Sequence, residues 1–524
     1  MTAQPTTVSG DQLTRDALAV LQPGFTGTEA PEWLLRQIRD GLTSVGLFGR
    51  NITSPGQLSA LTAQLRAERE DILVAIDEEG GDVTRLEVVD GSSVPGNHAL
   101  GAVDDPELTR AVAHELARRL ADCGVHLNWA PSADVNSDPD NPVIGVRSFG
   151  SDPDLVARHT AAYVEGMQSA GVAACTKHFP GHGDTAVDSH HALPTIGVGA
   201  DVLAARDLTP FRAAIAAGSK AVMSAHILVP ALDPDQPATL SRRILTGLLR
   251  EELGYEGLIV TDGMEMQAIS ATYGIERGSV LAIAAGADAI CVGGGLADEQ
   301  TVIKLRDTLV AAVRSGELAE ERLADAAARV RALAAWTTAT PRATGERTPD
   351  IGLVAARRAL EITRTEEHRA LTGTPHVVSF APVANIAVGD ETPWGVAAEL
   401  AARLPGTTSA SYTEQDGAEL AARVLAEAGE RRLVAVVRDE HRHPWMARAL
   451  DGLLAARPDT VVVEMGIPQS APRGSLHVAT HGASRVCGQA AAEAVTTTAP
   501  VAGTHFGRGS AGLTDVTWSG QANR

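Results

Sequence analysis

The chain has 524 residues, of which 44% are hydrophobic, and its formal net charge is −21. This length suffices for two to four domains, and the acidity argues against nucleic acid or an anionic membrane surface as the main partner. The four cysteines are far apart and form no CxxC pair, which argues against a disulfide framework and a cysteine zinc site. The sequence shows no signal-peptide pattern and no apolar run of membrane-spanning length. We therefore expect a cytoplasmic protein.

The first 336 residues alternate short apolar runs with helical patterns. Several of the runs are continuous, which is typical of parallel strands that are buried on both faces. Eight strand–helix units are the number found in a TIM (β/α)8-type barrel. The sequence therefore predicts a catalytic barrel over residues 1–336, with strands near residues 17–21, 44–48, 72–76, 125–129, 172–176, 221–224, 258–261 and 287–292.

A second α/β pattern begins after a helix predicted over residues 317–336. The next stretch is rich in Thr, Pro, Arg and Gly, and we interpret residues 337–350 as a linker. Strands and helices then alternate again, which predicts a smaller three-layer α/β sandwich domain over residues 351–524. We expect its helices over 353–360, 396–404, 417–428, 445–456 and 483–495, and its strands over 376–380, 433–437, 460–464 and 476–480.

A polar stretch, KHFPGHGDTAVDSHHALP, follows the fifth predicted strand at residues 177–194. It contains four histidines, two aspartates and a lysine, and isolated buried charges are too costly for such a stretch to pack as core. Since active sites of barrels lie at the carboxyl ends of the strands, this stretch indicates a functional loop.

Polar side chains also follow four other predicted strands. Because the ends of barrel strands meet at one face, we expect these side chains to share a pocket with the loop. They are Asp77 after the third strand, Asp134 and Arg147 after the fourth, His226 after the sixth, and Asp262 and Glu265 after the seventh.

Three chemistries compete for this set of residues. Metal binding is disfavoured because Pro180 and Gly181 separate His178 from His182, so the two histidines do not share a helix face. Phosphate binding is disfavoured because the glycines are too few for a phosphate loop and no GK[ST] follows. Glycosyl transfer needs one carboxylate near the anomeric carbon and a second group that protonates the leaving oxygen. Asp262 can supply the carboxylate, and a histidine oriented by an aspartate can supply the proton.

Five motifs carry a resemblance to a known family. They are IDEEGGDVTRL (76–86), NPVIGVRSFG (141–150), KHFPGHGDTAVDSHHALP (177–194), VMSAHI (222–227) and IVTDGMEM (259–266). In this order they resemble glycoside hydrolase family 3 in its two-domain form, and the DSH element resembles its NagZ-type β-N-acetylglucosaminidases.

The resemblance implies a role for each matching position. Asp262 would be the nucleophile that forms a covalent glycosyl-enzyme, His190 the acid/base, and Asp188 the partner that orients His190. The sugar would be held by Asp77, Arg85, Arg147, Lys177 and His178, and charge-assisted hydrogen bonds to hydroxyl groups fit that role.

Three positions depart from the pattern of the family. The family usually has Gln where this chain has Glu78, and Arg where it has Asp82. It often has a second aspartate after the nucleophile, where this chain has Gly263. The last departure leaves Asp262 as the candidate nucleophile.

Simpler interpretations apply to several other residues. We interpret His182 and His191 as structural loop residues, and His226 as either a pocket residue or a core histidine. Glu265 fits a position at a helix start. The charged cluster at residues 438–443 fits a solvated strand end, and we assign no catalytic residue to the C-terminal domain.

The sequence thus predicts a retaining exo-β-N-acetylglucosaminidase (a β-N-acetylhexosaminidase) that needs neither cofactor nor metal. Its expected partner is a small GlcNAc-containing oligosaccharide or muropeptide from cell-wall recycling, with no nucleic-acid or membrane partner. Three alternatives remain: a phosphorylase acting on β-N-acetylglucosaminides or β-glucosides, a β-glucosidase, and a sugar-binding protein without catalytic activity.

Overall fold

The computed structural model describes residues 10–187, 193–340, 347–383, 387–389, 392–417, 419–497 and 505–506. Its first part contains eight parallel strands in a TIM-type α/β barrel, which confirms the predicted fold class. The strands are β1 Leu21–Pro23, β2 Ser44–Leu47, β3 Leu73–Ile76, β4 Leu127–Asn128, β5 Ala173–Phe179, β6 Ala221–Ser224, β7 Leu258–Thr261 and β8 Ile290–Val292.

Backbone pairing follows the order of the chain around the barrel. Strands β2 to β7 form one continuous parallel sheet, and β1 pairs with β8 in parallel. A bridge between Val260 and Ala289 joins β7 to β8. The side-chain amide of Gln22 donates to the hydroxyl of Ser44 over 2.6 Å and thereby links β1 to β2.

Helices surround the strands. They are α1 Gly10–Ala19, α2 Glu32–Asp40, α3 Pro55–Glu68, α4 Asn97–Val103, α5 Pro106–Asp122, α6 Pro153–Ser169, α7 Ala200–Ala205, α8 Leu208–Ala216, a π-helix Arg243–Glu252, α9 Gln267–Tyr273, α10 Ile275–Ala285, α11 Glu299–Ser315 and α12 Glu320–Ala339. In the part of the chain that the structure describes, none of the helices has the length and apolarity needed to cross a membrane.

One strand prediction is wrong. Residues 17–19, predicted as part of the first strand, belong to α1, and the strand itself covers Leu21–Pro23. Residues 17–21 are all buried, so the apolar run is the inner face of a helix end followed directly by a buried strand. Periodicity cannot separate these two elements when the apolar run is this short.

The barrel interior is filled by side chains that alternate along the strands. Ala75, Trp129, Cys175 and Met223 are buried there. Residues of α12, among them Leu333, pack against the same interior cluster. Since the opposite strand faces are covered by the outer helices, both faces are buried, which explains the continuous apolar runs.

The second α/β unit contains a seven-stranded sheet. The strands are β9 Glu361–Arg364, β10 His376–Phe380, β11 Thr408–Tyr412, β12 Leu433–Val437, β13 Val461–Glu464, β14 Leu476–Ala479 and β15 His505–Phe506. They lie in the order β11-β10-β12-β13-β14-β9-β15, and all neighbours are parallel except β14 and β9. The helices are α13 Ile351–Ala359, α14 Ala397–Arg403, α15 Leu420–Ala428, α16 Pro444–Ala456 and α17 Arg485–Thr496. The elements predicted for this part of the chain are all present, but β9, β11 and β15 were not predicted.

Candidate active site

A cavity of about 550 Å³ lies where the barrel strands end at their carboxyl side. Six predicted site residues line it together: Asp77, Arg85, Arg147, Lys177, His178 and Asp262. The predicted acid/base His190 and its partner Asp188 lie outside the described residues. The floor contains Trp129, Met223 and Cys291 from the barrel interior.

Glu79 is the centre of the charged network, although the sequence did not single it out. Its carboxylate accepts three hydrogen bonds from the Arg147 guanidinium at 2.6–3.2 Å and lies 2.7 Å from the ammonium of Lys177. All three side chains are at most 4% exposed. Burial opposes ionisation of Glu79, but the charges of Arg147 and Lys177 outweigh it, so the pKa of this carboxyl lies well below its ordinary value.

Lys177 connects this network to the edge of the cavity. It comes from β5, and its ammonium lies 2.6 Å from a carboxylate oxygen of Asp77, which follows β3. Burial lowers the pKa of Lys177, but the carboxylates of Asp77 and Glu79 outweigh this effect and raise it above the ordinary value. The guanidinium of Arg85 lies 3.5 Å from the other oxygen of Asp77. Lys177 is therefore a charged group that holds two carboxylates in place.

A buried aspartate orients His178. Nδ1 of His178 lies 2.7 Å from a carboxylate oxygen of Asp134, and the backbone N–H of His182 donates to the other oxygen over 2.7 Å. Nε2 of His178 lies 3.4 Å from a nitrogen of the Arg147 guanidinium. Burial opposes ionisation of Asp134, but the charge of His178 outweighs it, and the pKa of this carboxyl is lowered. The imidazole is thus fixed with one edge toward the cavity residues.

Asp262 follows β7 directly, and its carboxylate accepts a hydrogen bond from the backbone N–H of Gly263 over 2.8 Å. The carbonyl of Gly263 in turn lies 3.0 Å from Nε2 of His226, whose Nδ1 lies 2.8 Å from the hydroxyl of Thr239. His226 is fully buried and does not line the cavity. Of its two interpretations, the structure therefore supports the core histidine, which holds the segment that carries Asp262.

Glu265 does not begin a helix, so that interpretation is wrong. The helix α9 begins at Gln267, and Glu265 lines the cavity instead. One of its oxygens accepts hydrogen bonds from the backbone N–H groups of Gly293 and Gly294, which follow β8. Arg50 donates to the carbonyls of the same two glycines. The carboxylate of Glu265 and the guanidinium of Arg50 thus bind the backbone of the same short loop, at Gly293 and Gly294, at the edge of the cavity.

His182, which the sequence suggested as a structural loop residue, is buried and also lines the cavity. Its ring packs edge-on against His178 with centroids 6.0 Å apart. Burial lowers the pKa of His182 to about 4, which keeps this ring neutral near neutral pH. Among the described residues, no three His, Cys, Asp or Glu side chains are grouped so that they could hold a metal ion.

The second α/β unit supplies part of the cavity wall. Ala387, Val388 and Gly389 line the cavity, and the carbonyl of Ala387 accepts a hydrogen bond from the Arg85 guanidinium over 2.6 Å. Arg438 is not a solvated strand end, because it pairs with the buried carboxylate of Asp82 from the barrel. Neither contact could be predicted from local sequence, because both join residues that are about 300 or more positions apart.

Carboxylates beside cationic groups, in a strand-end cavity of a TIM-type barrel, form the kind of site that glycoside hydrolases use. Residues 24–333 match the family model of the glycosyl hydrolase family 3 N terminal domain. The chain therefore belongs to glycosyl hydrolase family 3, a family of glycoside hydrolases.

Three similar proteins are consistent with this assignment. A family 3 beta-N-acetylglucosaminidase from Paenibacillus sp. str. FPU-7 has a similar structure, with a TM-score of 0.80 and 35% identity over 92% of this chain and 96% of that one. A beta-hexosaminidase of Stenotrophomonas maltophilia (strain K279a) is 38% identical over 51% of this chain and 82% of that protein. Beta-hexosaminidase A of Pseudoalteromonas piscicida is 35% identical over 55% of this chain, which matches only 52% of that relative's length.

Proposed function

We propose that the protein is a retaining exo-β-N-acetylglucosaminidase that hydrolyses terminal β-linked GlcNAc. One observation carries the proposal: Asp262 lines the same cavity as the charged groups of Asp77, Arg147 and Lys177 and the imidazole of His178. Such groups bind sugar hydroxyls strongly, and a carboxylate beside a bound sugar can attack its anomeric carbon. The names of the similar hexosaminidases and of the similar family 3 structure support GlcNAc as the sugar.

The reaction proceeds in two steps. In the first, a carboxylate oxygen of Asp262 forms a bond to the anomeric carbon while the glycosidic bond breaks, and His190 gives a proton to the departing oxygen. In the second, His190 takes a proton from water, whose oxygen displaces Asp262 and releases the sugar with retained configuration. Asp188 orients His190 and stabilises its protonated form. A cytoplasmic role in the recycling of cell-wall GlcNAc–MurNAc fragments belongs to the same proposal.

The assignment of Asp262 is tested with p-nitrophenyl β-GlcNAc. We expect Asp262→Asn to lower kcat by at least about 1,000-fold with little change in the melting temperature, because it removes the nucleophile without changing the shape of the side chain. Asp235→Asn, an exposed aspartate after β6, serves as the control and should keep wild-type turnover. Unchanged turnover of Asp262→Asn would remove Asp262 from the mechanism.

The assignment of His190 is tested by comparing two leaving groups. p-Nitrophenol needs little protonation to depart, whereas a sugar hydroxyl needs an acid. We therefore expect His190→Ala to slow the first step far more for a GlcNAc disaccharide than for p-nitrophenyl β-GlcNAc. Equal effects on the first step for both substrates would show that His190 is not the acid.

A further inference from the structure

The proposed sugar-binding residues Asp77 and Arg85 lie on one short segment that turns back on itself, together with Glu79, which pairs with Arg147 and Lys177. The backbone N–H of Glu79 donates to the carbonyl of Val83 over 3.1 Å, and Gly80 and Gly81 have φ angles of 77° and 64°. A side chain at Gly81 would collide with the backbone of Gly96, so the turn lies tightly against the barrel. The tip of this turn is Asp82.

Asp82 is a barrel residue whose side-chain partners belong to the second α/β unit. One carboxylate oxygen accepts a hydrogen bond from the backbone N–H of Ala483 over 2.7 Å, and the other pairs with the guanidinium of Arg438. The side chain of Asp82 is 2% exposed and that of Arg438 is 13% exposed, so water screens this ion pair little. Arg438 itself lies over the ring of Trp394, with 5.8 Å between the guanidinium carbon and the ring centroid. Arg438 follows β12 and Ala483 precedes α17, so two elements of the second unit hold the tip.

The same segment is held a second time at its far end. Arg85 points its guanidinium at Asp77 and at the carbonyl of Ala387, which belongs to the second unit. The segment 77–86 is therefore held by the second unit at both its tip and its end. The barrel alone supplies neither Arg438 nor the carbonyl of Ala387.

We propose that Asp82 and Arg438 are positioning residues for sugar binding, and that through them the second α/β unit fixes the segment 77–86. The proposal rests on the proposed function, in which Asp77 and Arg85 bind the sugar. Removing the charge of Arg438 leaves the carboxylate of Asp82 buried without its cation, which favours displacement of the turn toward water. A displacement of about 1 Å in groups that hold a substrate is enough to cost one to two orders of magnitude in catalytic efficiency.

The test uses Arg438→Met in the full chain, which removes the charge and keeps the bulk. We expect KM for p-nitrophenyl β-GlcNAc to rise about tenfold or more, with kcat changed much less, because the nucleophile Asp262 lies on another segment. The double variant Asp82→Asn, Arg438→Met should have a KM closer to wild type than Arg438→Met alone, because no unpaired buried charge remains.

The matched control is Arg358→Met. Arg358 in α13 forms an ion pair of 2.8 Å with Asp105, which caps α5, so it also joins the second unit to the barrel. Neither residue lines the cavity. We expect Arg358→Met to lower the melting temperature while KM stays within about twofold of wild type, as for a surface ion pair remote from the site. A merely structural role for Arg438 predicts the same result for Arg438→Met, and that result would overturn the proposal.

Hydrogen exchange provides a readout that does not depend on turnover. The backbone N–H groups of Arg85 and Leu86 donate to Glu78, and that of Gly81 donates to the carbonyl of Val94. Arg438→Met should accelerate exchange in the segment 79–86, and Arg358→Met should leave it unchanged. If the wild type fails to hydrolyse the glycoside, the proposed function falls, but the exchange data still decide whether Arg438 orders this segment. Unchanged exchange in Arg438→Met would refute that role.

Discussion

Replacing Glu78 with glutamine should change how the stability of the protein depends on pH. Glu78 is fully buried, and one of its oxygens accepts hydrogen bonds from the hydroxyl of Thr84 and the backbone N–H groups of Arg85 and Leu86. Its other oxygen has no hydrogen-bond partner among the described residues. Burial raises the pKa of Glu78 from 4.5 to about 7, although the three donors oppose this.

The sign and size of the effect follow from this shift. Below pH 4.5 the carboxyl is neutral in both folded and unfolded chains, so it imposes no penalty. As the pH rises from 4.5 to about 7, the unfolded chain ionises first, and the folded state loses about 3 kcal/mol of stability in total. Glutamine has the same shape, accepts the same three hydrogen bonds and does not titrate. Above pH 7, Glu78→Gln should therefore be more stable than wild type by up to about 3 kcal/mol.

The assay is chemical or thermal denaturation of both proteins at several values between pH 5 and pH 9. We expect the stability difference to grow up to about pH 7 and then to level off. Glu464→Gln offers a comparison in the second unit, because burial raises the pKa of Glu464 to about 8. The stability difference between Glu464→Gln and wild type should therefore level off about one pH unit higher than for Glu78→Gln. If the difference in unfolding free energy between Glu78→Gln and wild type stays constant from pH 5 to pH 9, the pKa of Glu78 in the folded protein is not raised as described.

Three further predictions concern the site. Lys177→Met should lower kcat/KM by about 100-fold and also lower the melting temperature, because the carboxylates of Asp77 and Glu79 lose their shared cation. A kcat/KM within threefold of wild type would contradict this prediction. Asp134→Asn should raise KM about tenfold because His178 loses its orienting carboxylate. It should also destabilise the protein at neutral pH, and because the pKa of Asp134 is lowered in the folded state, this loss of stability should shrink as the pH falls below about 4. A loss of stability that does not depend on pH would argue against the pairing of Asp134 with His178. Inorganic phosphate should not accelerate turnover of p-nitrophenyl β-GlcNAc or yield a sugar 1-phosphate, and either result would favour the phosphorylase alternative.

The fold of the barrel could be predicted because burial on both strand faces leaves a strong pattern. Six of the eight predicted strands begin within two residues of the observed ones, as for β3 and β7. In the second unit β9 and β11 were missed for the opposite reason: β9 has one buried residue among four and β11 is largely exposed, so sequences such as TSASY carry no apolar run. The strand β1 is only three residues long, which is too short to separate from the helix that precedes it.

The site could be predicted only in part. Asp77 and Asp262, which directly follow buried strands, and Lys177, which lies near the end of β5, were found because their position in the chain places them at the strand ends. Glu79 was missed because a carboxylate next to two glycines resembles an ordinary turn, and its role depends on two cations from distant segments. The wall at residues 387–389 had no local signal at all, because packing of one unit on the other creates it.

The contact between Asp82 and Arg438 also bears on how enzymes of this kind can be recombined. A chimera that joins this barrel to the C-terminal half of a relative would need a cation opposite residue 82, or it would bury a lone carboxylate at the tip of the segment 77–86. Besides the other contacts between the two halves, exchange therefore requires a matching charge at this position, and libraries built by domain shuffling should retain function better where that charge is kept.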